Sequence, residues 1–580
     1  MSHVDRRAGS AEVSDQVDRL TRVADEFFRT YLDANPVEAT ALGFDGYDHL
    51  VPDPSREADA RQRQKLDGLT AQLTGIEPHR LPEQHWVTAD MLARQLDDRR
   101  ATLHAGLSEV SVSASVAGRL SDVLASVPEV SITDADAAEA YLTRLAGLGT
   151  YFDALAERHR VAAADGRTPT AIGLRQAIEQ VDGYLGTAPD TDPFLRPRPE
   201  PGSHIDEVAW PDRVREMLEN SLRPALVRYR DRLAELAAET DPRRRPRDDD
   251  HVGVLHVPDG PDGYRVAIRR HTTTDATPEE IHQLGLDLVG RIREEFAELG
   301  SRVFRTSDVS SILQRLQHDP TLRFETAEEI ESTVTDALHR AEAAVPDWFR
   351  SYRIAPCEVR RMSEAEARGG VLGYYLPPAG DGSRPGAHVV NTHQPATRTR
   401  FEYETLAFHE SVPGHHLQIA IAQSMHGLPD FRRFMYVNAH AEGWGLYVER
   451  LCDRMGLYTD DLSRFGMLSW DAWRACRLVV DTGMHAFGWS RERAIDYMRQ
   501  NTAHSESNIT NEVDRYIADP GQALAYMVGR IRIEELAEQA RTALGSAFDI
   551  REYHHVVLGN GNLALSTLQR LVRSWIERGG

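Results

Sequence analysis

The segment Phe408-His409-Glu410-Ser411-Val412-Pro413-Gly414-His415-His416-Leu417-Gln418 decides how this chain is read. A His-Glu pair lies one to two helical turns ahead of a doubled histidine, and the surrounding positions have the spacing of an amphipathic helix. Neutral imidazoles that converge beside a free carboxylate form the donor set of a hydrolytic zinc site. The histidines are ligands, and the carboxylate, Glu410, is the base toward water.

Helix geometry makes the histidines hard to unite. At about 100° per residue His415 is rotated off the face of His409, whereas His416 faces correctly but lies about 10 Å further along the axis. Pro413 cannot donate to the carbonyl of His409 and its ring crowds that group, and Gly414 tolerates unusual dihedrals. A local bulge is therefore expected in a helix running from about Glu402 to His426. After the turn Gly427-Leu428-Pro429-Asp430, a second helix is expected from near Phe431, carrying Asn438-Ala439-His440-Ala441-Glu442-Gly443-Trp444-Gly445-Leu446-Tyr447-Val448-Glu449. In an antiparallel hairpin, His415 lies 11 residues before His426 and Glu442 lies 11 after Phe431, so the two side chains are level. Glu442 is thus the third ligand of one zinc per chain, and Glu449 is expected to matter far less.

A hydrolytic site also needs a donor for the developing oxyanion. Tyr516 and Tyr526, in Arg515-Tyr516 and Pro520-Gly521-Gln522-Ala523-Leu524-Ala525-Tyr526, are candidates, as is His485. Arg477, Asp481 and His485 recur at intervals of four and predict a polar row on one helix face. Arg477 could grip a substrate carboxylate through two parallel hydrogen bonds or pair with Asp481.

Upstream, GGVLGYYLPPAG, a Gly-Asp-Gly-Ser turn and AHVVNT predict two short strands within Gly370 to Thr392, and Ala387-His388-Val389-Val390-Asn391-Thr392 could receive an extended peptide as an edge strand. Gly263-Tyr264-Arg265-Val266-Ala267-Ile268-Arg269-Arg270 also reads as a strand. Thr277-Pro278-Glu279-Glu280 then starts a long helix through Glu298. From Ser14 to Thr240 the apolar spacing is helical, with stops at Asn35-Pro36 and Pro52-Asp53-Pro54-Ser55 and a proline-rich loop from Thr187 to Gly202. The charge run from Asp241 to Asp250 reads as a solvated boundary. It divides the chain into an N-terminal helical lobe, 1–250, and a C-terminal helical lobe, 251–580, with the metal site.

Composition removes other classes. A formal charge of −23 repels nucleic-acid phosphates, and no basic stripe offsets it. Lys65, in RQRQKLDGLT, is the only lysine, so a Schiff-base lysine motif and a Gly-Lys-Ser/Thr phosphate loop are both excluded. Neither Gly-x-Ser-x-Gly nor Gly-x-Gly-x-x-Gly occurs. Three cysteines, Cys357, Cys452 and Cys476, argue for a reducing compartment. With no apolar run long enough to span a bilayer and no signal-peptide pattern in MSHVDRRAGSAEVSDQVDRL, no membrane association and a cytoplasmic location are expected. Nothing in the sequence defines an oligomeric state.

HESVPGHHLQ, EGWGLYVE, RLVVDTGMH and RYIADPGQALAYMVG together resemble the bacterial family catalogued as domain of unknown function 885, whose members are similar to zinc peptidases. The resemblance runs from ANPVEATALGFDGYD to the end of the chain. The Gly-His pair is also similar to the His-Glu-x-Gly-His helix of thimet oligopeptidase-like and carboxypeptidase Taq-like enzymes, here with two residues inserted. This resemblance implies His415 rather than His416 as ligand, Glu410 as base, and a mainly α, two-lobed metallopeptidase-like fold with a deep cleft and a small β-hairpin near the site. Gly561-Asn562-Leu563-Ala564-Leu565 departs from a Ser-Leu-Pro-Leu pattern usual in members, which bears on loop shape. The expectation is a zinc hydrolase of peptide or amide bonds in short substrates. The alternatives are a metal-dependent amide hydrolase or acyl-transfer enzyme on a small metabolite, and a helical binding protein without turnover.

Overall fold

The computed structural model describes residues 3–115, 118–362, 367, 371–380 and 384–580, with side chains from residue 12 onward. The chain is mainly helical, and the described residues contain one three-stranded sheet of β1 (Cys357–Arg361), β2 (Gly373–Leu376) and β3 (Gly386–Val390). β3 lies between the others, parallel to β1 and antiparallel to β2. The two strands expected between Gly370 and Thr392 are therefore present. The short edge strand β1 lacks apolar alternation and was not expected. The Gly-Asp-Gly-Ser turn between β2 and β3 falls at 380–383, of which 381–383 lie outside the described residues. Because β3 is central and buried throughout, it has no free edge for a peptide, contrary to the expectation for Ala387 to Thr392.

Gly263 to Arg270 is not a strand but part of the helix Gly260–Thr272. Its β-branched residues misled, whereas the buried positions Tyr264, Ala267, Ile268 and His271 follow the helical period of three and four, and Pro261 opens the first turn. The Thr277 start holds as a reciprocal capping box with Glu280, and the helix runs Pro278–Val303. No described helix is long and apolar enough to cross a membrane.

Packing groups the chain differently from a division at 250. Leu20, Phe27, Leu92 and Leu96 share a core with Trp444, Tyr447, Ile533 and Leu568, whereas residues from Val112 to Leu236 pack around their own core. The charge run is not wholly solvated either. Arg247 is buried and donates to the carbonyls of Thr168 and Gly253 at 3.0 and 2.9 Å, and burial pushes its pKa down to about 10. One guanidinium of the run thus ties its two flanks together.

The helices Asn438–Arg454 and Ala525–Leu544 approach each other closely through paired glycines. A Cβ on Gly443 would lie 2.5 Å from the Cα of Gly529, and one on Gly529 would run into the carbonyl of Ala439. This contact sets Glu442 beside Tyr526. Gly443→Ala is expected to cost about 1–3 kcal/mol through overpacking. Gly290→Ala, exposed in a helix with nothing near its added methyl, should instead gain up to about 1 kcal/mol from helix propensity. Thermal and urea denaturation of both variants measures the contrast.

Candidate metal centre

His409 occupies the last turn of the helix Tyr403–Glu410. Every residue from Tyr403 to His409 is buried, so the helix is enclosed rather than amphipathic, lying against the helices Ala327–Trp348, Asn438–Arg454 and Asp461–Phe487 and against β2. The expected continuous helix does not form. After Glu410, Ser411 adopts φ −104° and ψ −122°, the Val412–Pro413 peptide is cis, and a new helix, His415–Ser424, begins beyond Gly414. The feature is a break rather than a bulge. It is held by the Ser411 N–H and hydroxyl donating to the carbonyl of Ala407 at 2.9 and 2.5 Å, and by the Trp444 indole N–H donating to the carbonyl of Pro413 at 2.9 Å. A side chain at Gly414 would strike the carbonyl oxygens of Phe408 and His409.

The break turns His415 back toward His409. Their ring centroids are 4.6 Å apart with planes at 84°. Glu442 reaches in from the helix Asn438–Arg454, its Oε2 3.7 Å from His409 Nε2 and 3.5 Å from His415 Nε2. All three ligand atoms lie within 4.8 Å of one another. Tetrahedral zinc with bonds of about 2.0–2.1 Å separates its ligand atoms by about 3.3–3.5 Å, so small side-chain movements would bring these three onto one ion. The second helix does not start continuously at Phe431. A short helix, Asp430–Phe434, precedes a kink at Met435–Val437, yet Glu442 arrives at the predicted height.

Each member of Glu442-Gly443-Trp444-Gly445 has a separate task. Glu442 faces the histidines, Gly443 admits the neighbouring helix, Trp444 pins Pro413, and Gly445 leaves room for the His409 ring, which a Cβ there would meet at 2.7 Å. Glu449, two turns further, is fully buried and accepts a 2.7 Å hydrogen bond from His409 Nδ1–H. That bond directs the Nε2 lone pair at the site, as carboxylates behind metal-binding histidines do. Glu449, expected only to matter far less than Glu442, thus has a role of its own behind His409. Its spacing of seven from Glu442 was the available signal.

Charge in this pocket is tightly coupled. Burial disfavours an imidazolium at His409, but Glu442 and Glu449 outweigh it and raise the pKa to about 9. Against its own burial, Glu442 is held well below the usual carboxylate range by His409 and His415. A cationic centre at this point thus suits the surrounding carboxylates. His416 points elsewhere, its Nε2–H donating to the carbonyl of Ala355 at 2.9 Å and its Nδ1 accepting from Tyr375 at 3.1 Å. It braces the sheet.

His409, Glu410, His415 and Glu442 open into a pocket of about 300 Å³. Of the other predicted residues, only Tyr526 lines it. Tyr516 is buried, sharing Glu512 with Arg477: Arg477 donates to the Tyr516 hydroxyl at 2.7 Å and to Glu512 at 2.8 Å. His485 is fully buried, accepting from the Val254 N–H at 3.2 Å and donating to the Tyr516 carbonyl at 3.0 Å, and burial lowers its pKa to about 4. Asp481 accepts from Tyr264 and from the Gly521 N–H. The predicted polar row does not join, because each member serves a different neighbouring segment. Tyr516, His485 and Arg477 are thus supports for the Tyr526 segment and do not line the site.

Six lining residues were missed, Pro377 and Ile419 among them. Tyr436 lies in the kink, the residue 43% exposed while its hydroxyl donates to Glu442 Oε1 at 2.8 Å. Tyr374 and Tyr375 come from β2, and Arg474 from the helix Asp461–Phe487, one turn before Arg477.

A family model described as "Bacterial protein of unknown function (DUF885)" matches residues 36–572. The chain belongs to this family. It also matches the crystal structure of "the putative lipoprotein from Colwellia psychrerythraea" with a TM-score of 0.87 and 26% identity, covering 97% of this chain and 99% of that one. A second match, "a putative lipoprotein of unknown function from Shewanella oneidensis", has a TM-score of 0.72 and 15% identity over 96% and 99% of the respective chains. No curated protein matches. The DUF885 fold thus extends across almost the whole chain.

For the zinc that the sequence reading expects, the geometry orders the effects of substitution on affinity. Glu442→Ala should nearly abolish binding, Glu449→Gln should weaken it by about 10- to 100-fold, and His416→Asn should leave it within a few-fold. Competition with a chromogenic chelator gives the order, and a larger loss at His416 than at His415→Asn would reassign the ligands.

Proposed function

We propose that this DUF885 protein is a zinc-dependent hydrolase of peptide or amide bonds in short substrates, working in the cleft of a two-lobed metallopeptidase-like fold. The convergence of His409 and His415 on one oxygen of Glu442, at the wall of a pocket that also holds Glu410, carries this reading. Two histidines and a glutamate form a recurrent ligand set of hydrolytic zinc sites. Bound there, zinc supplies Lewis acidity toward a carbonyl oxygen and lowers the pKa of water to about 7.

The chain's own groups divide the remaining work. Glu410 follows ligand His409 directly and makes no ion pair among the described residues. It takes the proton of the attacking water and returns it to the leaving nitrogen. Glu449 keeps His409 in the tautomer whose Nε2 faces the site. Tyr436 occupies the second oxygen of Glu442, which leaves Oε2 for the site. Tyr526 is the donor toward the developing oxyanion. β2, an edge of the sheet on the pocket wall, offers its backbone to an extended substrate. A pocket of about 300 Å³ is at the small end of ligand sites, which favours short substrates over unfolded chains.

Elemental analysis should find close to one zinc per chain. A peptide-library digest followed by mass spectrometry should show cleavage, and Glu410→Gln should keep the zinc while losing at least about 100-fold in kcat. Absence of metal from both proteins would support a binding protein without turnover. Cleavage confined to non-peptide amides would favour the small-metabolite hydrolase.

A further inference from the structure

Arg474 is the unusual charge of the pocket. Its residue is 5% exposed, it lines the same 300 Å³ space as the histidines, and it makes no hydrogen bond or ion pair among the described residues. Its Nε is buried without a partner. Among the described residues the guanidinium lies against aromatic faces, with its carbon 3.9 Å from the Trp470 ring centre and 5.6 Å from that of Tyr526. A buried cation without hydrogen-bonded compensation is costly, and stacking on two rings offsets only part of that cost.

Neighbouring arginines have a hydrogen-bonded carboxylate that Arg474 lacks. Arg477 and Arg515 both bind Glu512, and Arg515 also donates to Gln522 at 2.7 Å. The buried carboxylates Glu449 and Glu442 act electrostatically on Arg474, but neither is hydrogen-bonded to it: Glu449 Oε1 holds His409 and Glu442 faces both histidines. Arg474 thus presents a planar, preorganised fork whose natural complement is a carboxylate, and the pocket is where such a group can arrive.

Resting on the proposed hydrolase reading, we infer that Arg474 binds a free carboxylate of the substrate, so that short peptides ending in a free acid are turned over in preference to their amides. A carboxylate on Arg474 lies in the same pocket as Glu410, His409, His415 and Glu442. In the reaction, the water oxygen bonds to the scissile carbonyl carbon, the C–N bond breaks, and the water proton passes through Glu410 to the leaving amine. The products are a new carboxylic acid and a free amine.

The test compares alanyl dipeptides bearing each of the amino acids at the second position with their C-terminal amides. Turnover is followed by mass spectrometry on the zinc-loaded protein, and binding of the best pair by calorimetry on zinc-loaded Glu410→Gln. The free acids should exceed the amides in kcat/KM and in affinity by about 10- to 100-fold, the range of charge-assisted hydrogen bonds. Arg474→Gln should bring acid and amide to parity with zinc content unchanged, and Arg474→Lys should fall between. Amides that bind and react as well as acids in the unaltered protein overturn the inference while leaving the hydrolase reading intact. An acid preference that survives in folded, zinc-loaded Arg474→Gln also overturns it. Should that variant fail to fold, the acid-to-amide ratio of the unaltered protein decides. If neither form binds or reacts in zinc-loaded protein while larger peptides are cleaved, the inference alone falls; if no peptide is cleaved, the hydrolase reading falls with it.

Discussion

A straight helix cannot aim residues six positions apart at one point, and the site depends on how this chain escapes that constraint. The escape is the interruption between Glu410 and His415, where Pro413 removes a donor and Gly414 fits against two carbonyls that any side chain would strike. The interruption is costly unless its loose polar groups are met. The Ala407 carbonyl and the Trp444 indole meet them from opposite sides. The helix bearing Trp444 also bears Glu442, so the contact that stabilises the break also places the facing carboxylate.

Burial then makes the charges of this region interdependent. Glu442 and Glu449 approach the same imidazole from its two nitrogens, and His409 carries the pull of both. Tyr436 takes the remaining oxygen of Glu442, and Arg474 supplies positive charge within the same pocket. In a dry interior such groups cannot be altered singly, because removing one leaves another unmatched. A cation among the three ligand atoms matches this balance, which is why the proposed metal suits the site's electrostatics as well as its geometry.

Behind the pocket, polar residues that resemble catalytic groups hold backbone in place. Asp481 receives the Gly521 N–H, His485 receives the Val254 N–H and grips the Tyr516 carbonyl, and Arg477 and Arg515 clamp Glu512. Together they fix the segment from Tyr516 to Tyr526, with Arg477 lying 4.6 Å over the Tyr526 ring. The contribution of Tyr516, His485 and Arg477 to the site is thus the position of a single phenol.

The helical character of the chain and the meeting of His409 and Glu442 with one of the doubled histidines were legible in the sequence. They rest on local chemistry: apolar spacing, a proline and glycine that must interrupt a helix, and a glutamate at a matching height, whereas the family resemblance chose His415 over His416. Gly263 to Arg270 was misread because β-branched content and helical period conflict there, and burial resolved the conflict. Which polar residues face the pocket was decided only by the tertiary structure. A spacing of four places Arg477, Asp481 and His485 on one stripe of a helix, but the segments that pack against each turn determine where each side chain bonds. The roles of Glu449, Tyr436 and Arg474 likewise arise from elements distant in sequence meeting at one point, information that a single stretch of chain does not contain.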